Sequence, residues 1–225
     1  MRGQWLNAPG MRWAFRVLTD AHYRPLVMPH FFVKDIRALP FASLKQAGIS
    51  GVVFDKDNTL TAPFATSIFP TLSEAVNECR DVFGDRVALF SNSAGSPDDV
   101  EYQHAERLER QLGISVIRHQ EKKPEARQDV LRHFQCSSGD HLLAVGDRYF
   151  TDVLFGNLCG MLTVATQILT EENDPLVVRP IRRLEERYVR GLLQRGIKPP
   201  SHPLYEACAQ LIETDRRYSK ESSKH

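Results

Sequence analysis

Five short runs of apolar, largely β-branched residues recur along the chain, at Gly51 to Phe54, Val87 to Phe90, Ile114 to Ile117, Leu142 to Val145 and Met161 to Ala165. Runs this short and this free of polar alternation need both faces covered, as in a strand of a parallel sheet. Helix-like segments separate them. Ser96 to about Leu112 offers Ser96 as N-cap, Pro97 at the first helical position, Asp98 and Asp99 in the first turn and Gly113 as terminator, with Val100, His104, Leu108 and Leu112 on one face. Pro124 to Phe134 and Thr151 to Leu158 read as further helices. Strand and helix alternating at this spacing predict right-handed βαβ crossovers, hence an α/β fold with a mostly parallel sheet in a three-layer sandwich.

Such sheets bind ligands beyond the carboxyl ends of their strands, so the polar groups of a site are expected where apolar runs stop. The first run stops at Asp55, with Asp57 and Thr59 close behind. The second stops at Ser91-Asn92, and the fourth at Gly146-Asp147, with Asp152 five residues beyond. Lys123, followed by Pro124, comes shortly after the third. If Asp55, Asp57, Asp147 and Asp152 converge, like charges about 4 Å apart repel by roughly 4 kcal/mol per pair at an effective dielectric near 20. Such a cluster calls for a cation, and an all-oxygen donor set favours a hard one, Mg²⁺ before Ca²⁺ where a phosphate displaces water. Lys123 and the Ser91 hydroxyl are then placed to meet phosphate oxygens.

These residues resemble the haloacid dehalogenase superfamily of aspartate-nucleophile phosphatases. The motifs occur in order as Asp55-Lys56-Asp57-Asn58-Thr59, Leu89-Phe90-Ser91-Asn92, Lys123-Pro124 and Gly146-Asp147-x-x-x-x-Asp152. The resemblance implies a Rossmannoid core in which Asp55 attacks phosphorus and Asp57 protonates the leaving alcohol, then takes a proton from water. It further implies that Asp55, the Asp57 backbone carbonyl, Asp147 and Asp152 hold Mg²⁺, and that Ser91, Thr59, Asn92 and Lys123 serve the phosphate. Lys123 is preferred to Lys122 because it precedes the proline.

About 30 residues separate Thr59 from Ser91, and about 30 separate Ser91 from Lys123. Each gap is filled by a loop, a helix and the next strand, so no cap domain is expected and the site should be open. The loop Thr61 to Pro70 carries no charge and offers Phe64, Ile68 and Phe69 either to the domain or to acyl chains at a membrane. Residues 176 to 195 hold six arginines, with Ile181, Leu184, Tyr188 and Leu192 at helical spacing. That pattern suits either an ordinary docked helix or one lying on anionic lipid. Arg148 and the Arg182-Arg183 pair are the cations left open for substrate.

At a finer level the chain resembles the mitochondrial-type phosphatidylglycerophosphate phosphatases and their bacterial YqeG-like relatives. The likeness rests on Phe54 to Thr61, Ser91 to Gly95, Val145 to Val153 and the preceding Leu39-Pro40 segment. It implies hydrolysis of phosphatidylglycerophosphate to phosphatidylglycerol in the cardiolipin pathway, by a peripheral enzyme on the matrix face of the mitochondrial inner membrane. A plastid or the cytoplasmic face of a bacterial membrane is the other setting. Two competing readings are a capless phosphatase for a soluble, nucleic-acid or phosphoprotein monoester, and a receiver-like phosphoaspartate signalling module.

Composition narrows the field further. A net charge of +1 gives no global field for nucleic acid, and no apolar segment approaches the roughly 20 residues needed to span a bilayer. Cys79, Cys136, Cys159 and Cys208 are scattered, as are the histidines, which argues for a reducing compartment and against zinc. The expected organisation is an arm over residues 1–40, a phosphatase core over 41–170, a helical extension over 171–213 and a polar tail over 214–225. Residues 1–19 hold three arginines and no acid. They suit a targeting or interfacial helix or an arm packed on the domain, with Pro9 and Gly10 expected to interrupt an early helix.

Overall fold

The computed structural model describes residues 8–174 and 177–215. The helices are α1 (Ala8–Thr19), α2 (Phe41–Gln46), α3 (Ser73–Phe83), α4 (Gln103–Leu112), α5 (Arg127–His133), α6 (Leu154–Leu158), α7 (Val178–Gln194) and α8 (Tyr205–Ala209). The strands are β1 (Phe31–Phe32), β2 (Gly51–Phe54), β3 (Val87–Leu89), β4 (Ser115–Val116), β5 (Leu142–Gly146) and β6 (Leu162–Ala165). They form one sheet in the order β1-β6-β5-β2-β3-β4 with every pairing parallel.

The five apolar runs are thus strands, and burial on both faces explains their lack of alternation. In β2, Val52 and Phe54 join the cluster beneath α2 and α3, whereas Val53 joins the cluster beneath α5 and α6. Phe54 is fully buried, which stabilises the fold by roughly 2–3 kcal/mol relative to leaving it in water. The sixth strand, Phe31–Phe32, extends the β6 edge from residues read as an arm. Two residues are too short a run to stand out in the sequence.

Two helix expectations need correction. The segment from Ser96 does not continue as one helix, because the Asp99 carboxylate accepts the N–H groups of Gly95, His104 and Ala105, each at 2.9 Å. In an unbroken helix His104 and Ala105 would bond the carbonyls of Val100 and Glu101. Glu101 and Tyr102 adopt left-handed φ values of 51° and 57°, and α4 starts only at Gln103. Its predicted end holds: Gly113 has φ 64° and its N–H bonds the Glu109 carbonyl. Pro9 and Gly10 do not interrupt α1, since they fall in its first turn, where a missing N–H costs nothing.

Candidate active site

Asp55 follows the last residue of β2, one of the two central strands, and its N–H bonds the Val145 carbonyl of β5, the other, at 2.9 Å. Asp147 follows β5 directly. The chain then makes a π-helical turn over Tyr149–Val153 before α6, and this turn returns Asp152 to the strand end. Gly146 permits that return, because a Cβ there would lie 2.4 Å from the Asp152 Cβ. The three carboxylates each offer an oxygen within 4.8 Å of the others. Among the described residues no histidine or cysteine joins them, so the donor set fits a hard divalent cation.

Lys123 reaches this cluster from the β4–α5 connection. Its Nζ lies 2.7 Å from both Asp55 Oδ1 and Asp152 Oδ1. Asn92 orients the segment by accepting the Lys123 N–H at 3.0 Å. Lys122 turns outward to Asp98 at 2.7 Å. Burial alone would lower the Lys123 ammonium, yet Asp152 and Asp55 hold its pKa above the ordinary lysine value. Burial, reinforced by the Asp152 charge, pushes Asp55 up to about 6 against the opposing pull of Lys123. The same cause pushes Asp147 up to about 8, against the pull of Arg182. These upward shifts mark carboxylates that lack enough positive charge.

Asp57 lines the same cleft, of about 400 Å³, but its carboxylate is not one of the converging three. Its Oδ1 accepts from Lys56 Nζ at 2.5 Å and from the Phe64 N–H at 2.9 Å. Lys56 is buried and also donates to the Ala65 carbonyl at 2.9 Å, so it ties Asp57 to the loop that follows. Ser91 sits at the cleft floor, its hydroxyl 3.1 Å from that of Ser93. The Thr59 hydroxyl is buried, without a hydrogen-bond partner, and does not line the cleft.

Arg182 and Arg148, read from the sequence as cations open for substrate, also shape the site, as do Glu185 and His119, whose roles the sequence does not signal. Arg182 on α7 pairs with Asp147 and lies 3.5 Å from Asp174, so it reaches the metal-type cluster from outside the sheet. Arg148 pairs with Glu185 of the same helix at 2.7 Å, which leaves Arg183 as the exposed member of the basic pair. His119 fixes the second strand end from below, with Nε2 at 2.8 Å from the Ser91 carbonyl. The sequence singles out Arg148 and the Arg182-Arg183 pair as cations for the substrate, but it cannot say which arginine turns inward onto an acid.

The uncharged loop divides in two. Ile68 and Phe69 pack against the core, and Phe64 is 66% exposed at the cleft rim. Loops and one helix fill both intervals where a cap could be inserted, so none is present among the described residues.

The profile of the mitochondrial PGP phosphatase family matches residues 10–170. The chain is 43% identical over 216 residues to the Arabidopsis thaliana "Phosphatidylglycerophosphate phosphatase 1, chloroplastic/mitochondrial", covering 94% of this chain and 60% of that protein. It is 46% identical over 181 residues to the Chlamydomonas reinhardtii chloroplastic protein of the same name, covering 80% of this chain and 67% of the other. A more distant relative is the "Probable phosphatase YqeG" of Bacillus subtilis, 28% identical over 171 residues, 75% of this chain and 93% of the relative. With the motif residues converging at the carboxyl edge of a parallel sheet, the match places the chain in the mitochondrial PGP phosphatase family.

Proposed function

We propose that this protein hydrolyses the terminal phosphomonoester of phosphatidylglycerophosphate, giving phosphatidylglycerol and phosphate, at the surface of a mitochondrial or plastid membrane. The convergence of Asp55, Asp147 and Asp152 around the Lys123 ammonium carries the reading, together with the names of the related proteins. Among the described residues no helix is long and apolar enough to cross a membrane, and a peripheral position on the matrix face accords with that.

Asp55 is the nucleophile in this reading. Its carboxylate oxygen bonds phosphorus as the bond from phosphorus to the lipid oxygen breaks, and Asp57 gives that oxygen its proton. Both hydrogen bonds to Asp57 fall on Oδ1, which leaves Oδ2 to carry the proton. Water then attacks phosphorus, Asp57 recovers the proton, and the bond to Asp55 breaks with release of phosphate. Lys123 holds Asp55 in place and adds positive charge beside the incoming phosphate, with Ser91 and Asn92 at the cleft floor as further polar contacts. Thr59 stands beneath the motif loop as its support. Asp55, Asp147, Asp152 and the Asp57 carbonyl would hold Mg²⁺, which when bound supplies charge against the phosphate oxygens.

The test is phosphate release from vesicle-borne phosphatidylglycerophosphate with Mg²⁺, set beside a sugar phosphate, a 5′-phosphorylated oligonucleotide and a phosphopeptide. The lipid should be the preferred substrate, and Asp55→Asn should remove activity toward it. Preference for a soluble monoester overturns the substrate, and a long-lived phosphoenzyme without turnover overturns the reaction.

A further inference from the structure

Nine large apolar side chains are exposed among the described residues, and six of them, Met11, Phe15, Leu18, Val177, Ile181 and Leu184, lie on α1, on α7 or next to it. Met11, Phe15 and Leu18 recur four and three residues apart, and so form one stripe on α1. Ile181 and Leu184 do the same on α7. Both helices are anchored by other residues, because Val17 on α1 and Val189 and Leu192 in the later turns of α7 are buried in a shared cluster. The Tyr188 hydroxyl donates to the Val17 carbonyl at 3.0 Å and ties the two helices together. An apolar surface of this kind, concentrated on two neighbouring helices, marks an interaction site.

Between the stripes runs a groove of about 470 Å³ lined by Met11, Leu18, Phe150, Ile181, Leu184 and Tyr188. One end of it is the catalytic cleft, since Asn92, Arg148, Thr151 and Val178 line both. Lys122, paired with Asp98, lines the groove as well, and α1 carries Arg16 and Arg12, the latter paired with Glu125. A phosphate ester bound at Asp55 would therefore find a charged cleft around its head and an apolar trough leading away from it.

We propose that this groove receives the acyl portion of the glycerophospholipid whose phosphate enters the cleft, with α1 and α7 resting on the bilayer surface. The assignment rests on the phospholipid phosphatase reading. It goes further by choosing the face that meets the lipid, which is the α1–α7 groove rather than the Phe64 loop alone. Continuity with the cleft selects a lipid over a second copy of the chain, because an occupant of the groove has to share its inner end with the reacting phosphate.

Two double variants on exposed positions test it: Leu18→Ser with Leu184→Ser, and Met11→Ser with Ile181→Ser. Their flotation with vesicles of phosphatidylcholine and phosphatidylglycerol should weaken at least tenfold. The ratio of turnover on vesicle-borne phosphatidylglycerophosphate to turnover on soluble glycerol phosphate should fall by a similar factor. Wild-type protein supplies a measurement that does not depend on how the variants fold: phosphatidylglycerol with a diazirine on its acyl chain should crosslink to residues 10–18 and 177–188. Crosslinks confined to the Phe64 loop, or unchanged flotation and ratio in the variants, overturn the proposal. So does a loss of self-association by light scattering with flotation intact, which would make the groove an interface between copies. If wild type releases no phosphate from the lipid at all, the phosphatase reading itself has failed. If wild type and variants release it equally, the groove assignment alone has failed.

Discussion

Two buried polar clusters are built on the same sheet and follow opposite rules. At the carboxyl ends of the strands, Asp55, Asp147 and Asp152 share two cations, and several buried polar atoms nearby have no partner, among them Asn58 Nδ2, Thr59 Oγ1 and Arg182 Nε. Nearer the amino ends, His30, Thr163 and Asn157 form a neutral network. The Thr163 N–H donates to His30 Nδ1 at 3.1 Å, so that nitrogen accepts and Nε2 carries the proton facing the Pro200 carbonyl at 3.0 Å. Asn157 donates to the carbonyls of Leu26 and Met28 and accepts from the Thr163 hydroxyl at 3.1 Å. The lower cluster satisfies its own members and joins the edge strand to the domain. The upper one leaves polar capacity unused, at a cost in stability that only a ligand can recover.

The largest test of this contrast is Asp55→Asn, which should lower phosphate release by more than about a thousandfold while leaving the circular dichroism of the folded chain in place. A fall in activity explained by unfolding would erase the distinction between the two clusters. The lower cluster should instead show itself in acid. Burial, helped by the neighbouring His202, lowers His30 to about 4. The unfolded chain therefore binds more protons than the folded one between its ordinary value near 6.5 and 4, and stability falls as pH drops through that window. The loss should reach about 3 kcal/mol, read from urea midpoints, and His30→Gln should flatten it.

Asn157→Ala should cost about 1–3 kcal/mol by stranding the carbonyls of Leu26 and Met28, with turnover per folded molecule retained. Turnover that falls in step with stability would join the two clusters into one functional unit. The smallest effect is expected at the cleft rim. Phe64→Ser should change stability by no more than about 0.5 kcal/mol in a urea titration, because its ring is mostly in water.

Much of the upper cluster was legible from the chain, and almost none of the lower. Asp55, Ser91 and Asp147 each stand where an unbroken apolar run stops, so pattern alone put them at one edge. Lys123 was legible through the proline behind it. His30, Thr163 and Asn157 are separated by up to 133 residues and carry no local signature, since a neutral hydrogen-bond network needs only proximity. Burial of Lys56 was equally hidden, because a lysine between two acids reads as solvent-facing. The late start of α4 escaped for a different reason. Ser96-Pro97-Asp98-Asp99 is a sound helix opening, and the Asp99 side chain diverted the hydrogen bonds that would have continued it.

The sheet ends at Ala165 and the family profile at residue 170, yet Asp147 and Arg148 find their ion-pair partners only at Arg182 and Glu185. The domain therefore has two different borders, one drawn by hydrogen-bonded strands and a later one drawn by ion pairs. A chain shortened to the first border would keep every motif residue and still hold Asp147 without Arg182, and Arg148 without Glu185. Helix α7 belongs to the site in the way a counterion belongs to a salt.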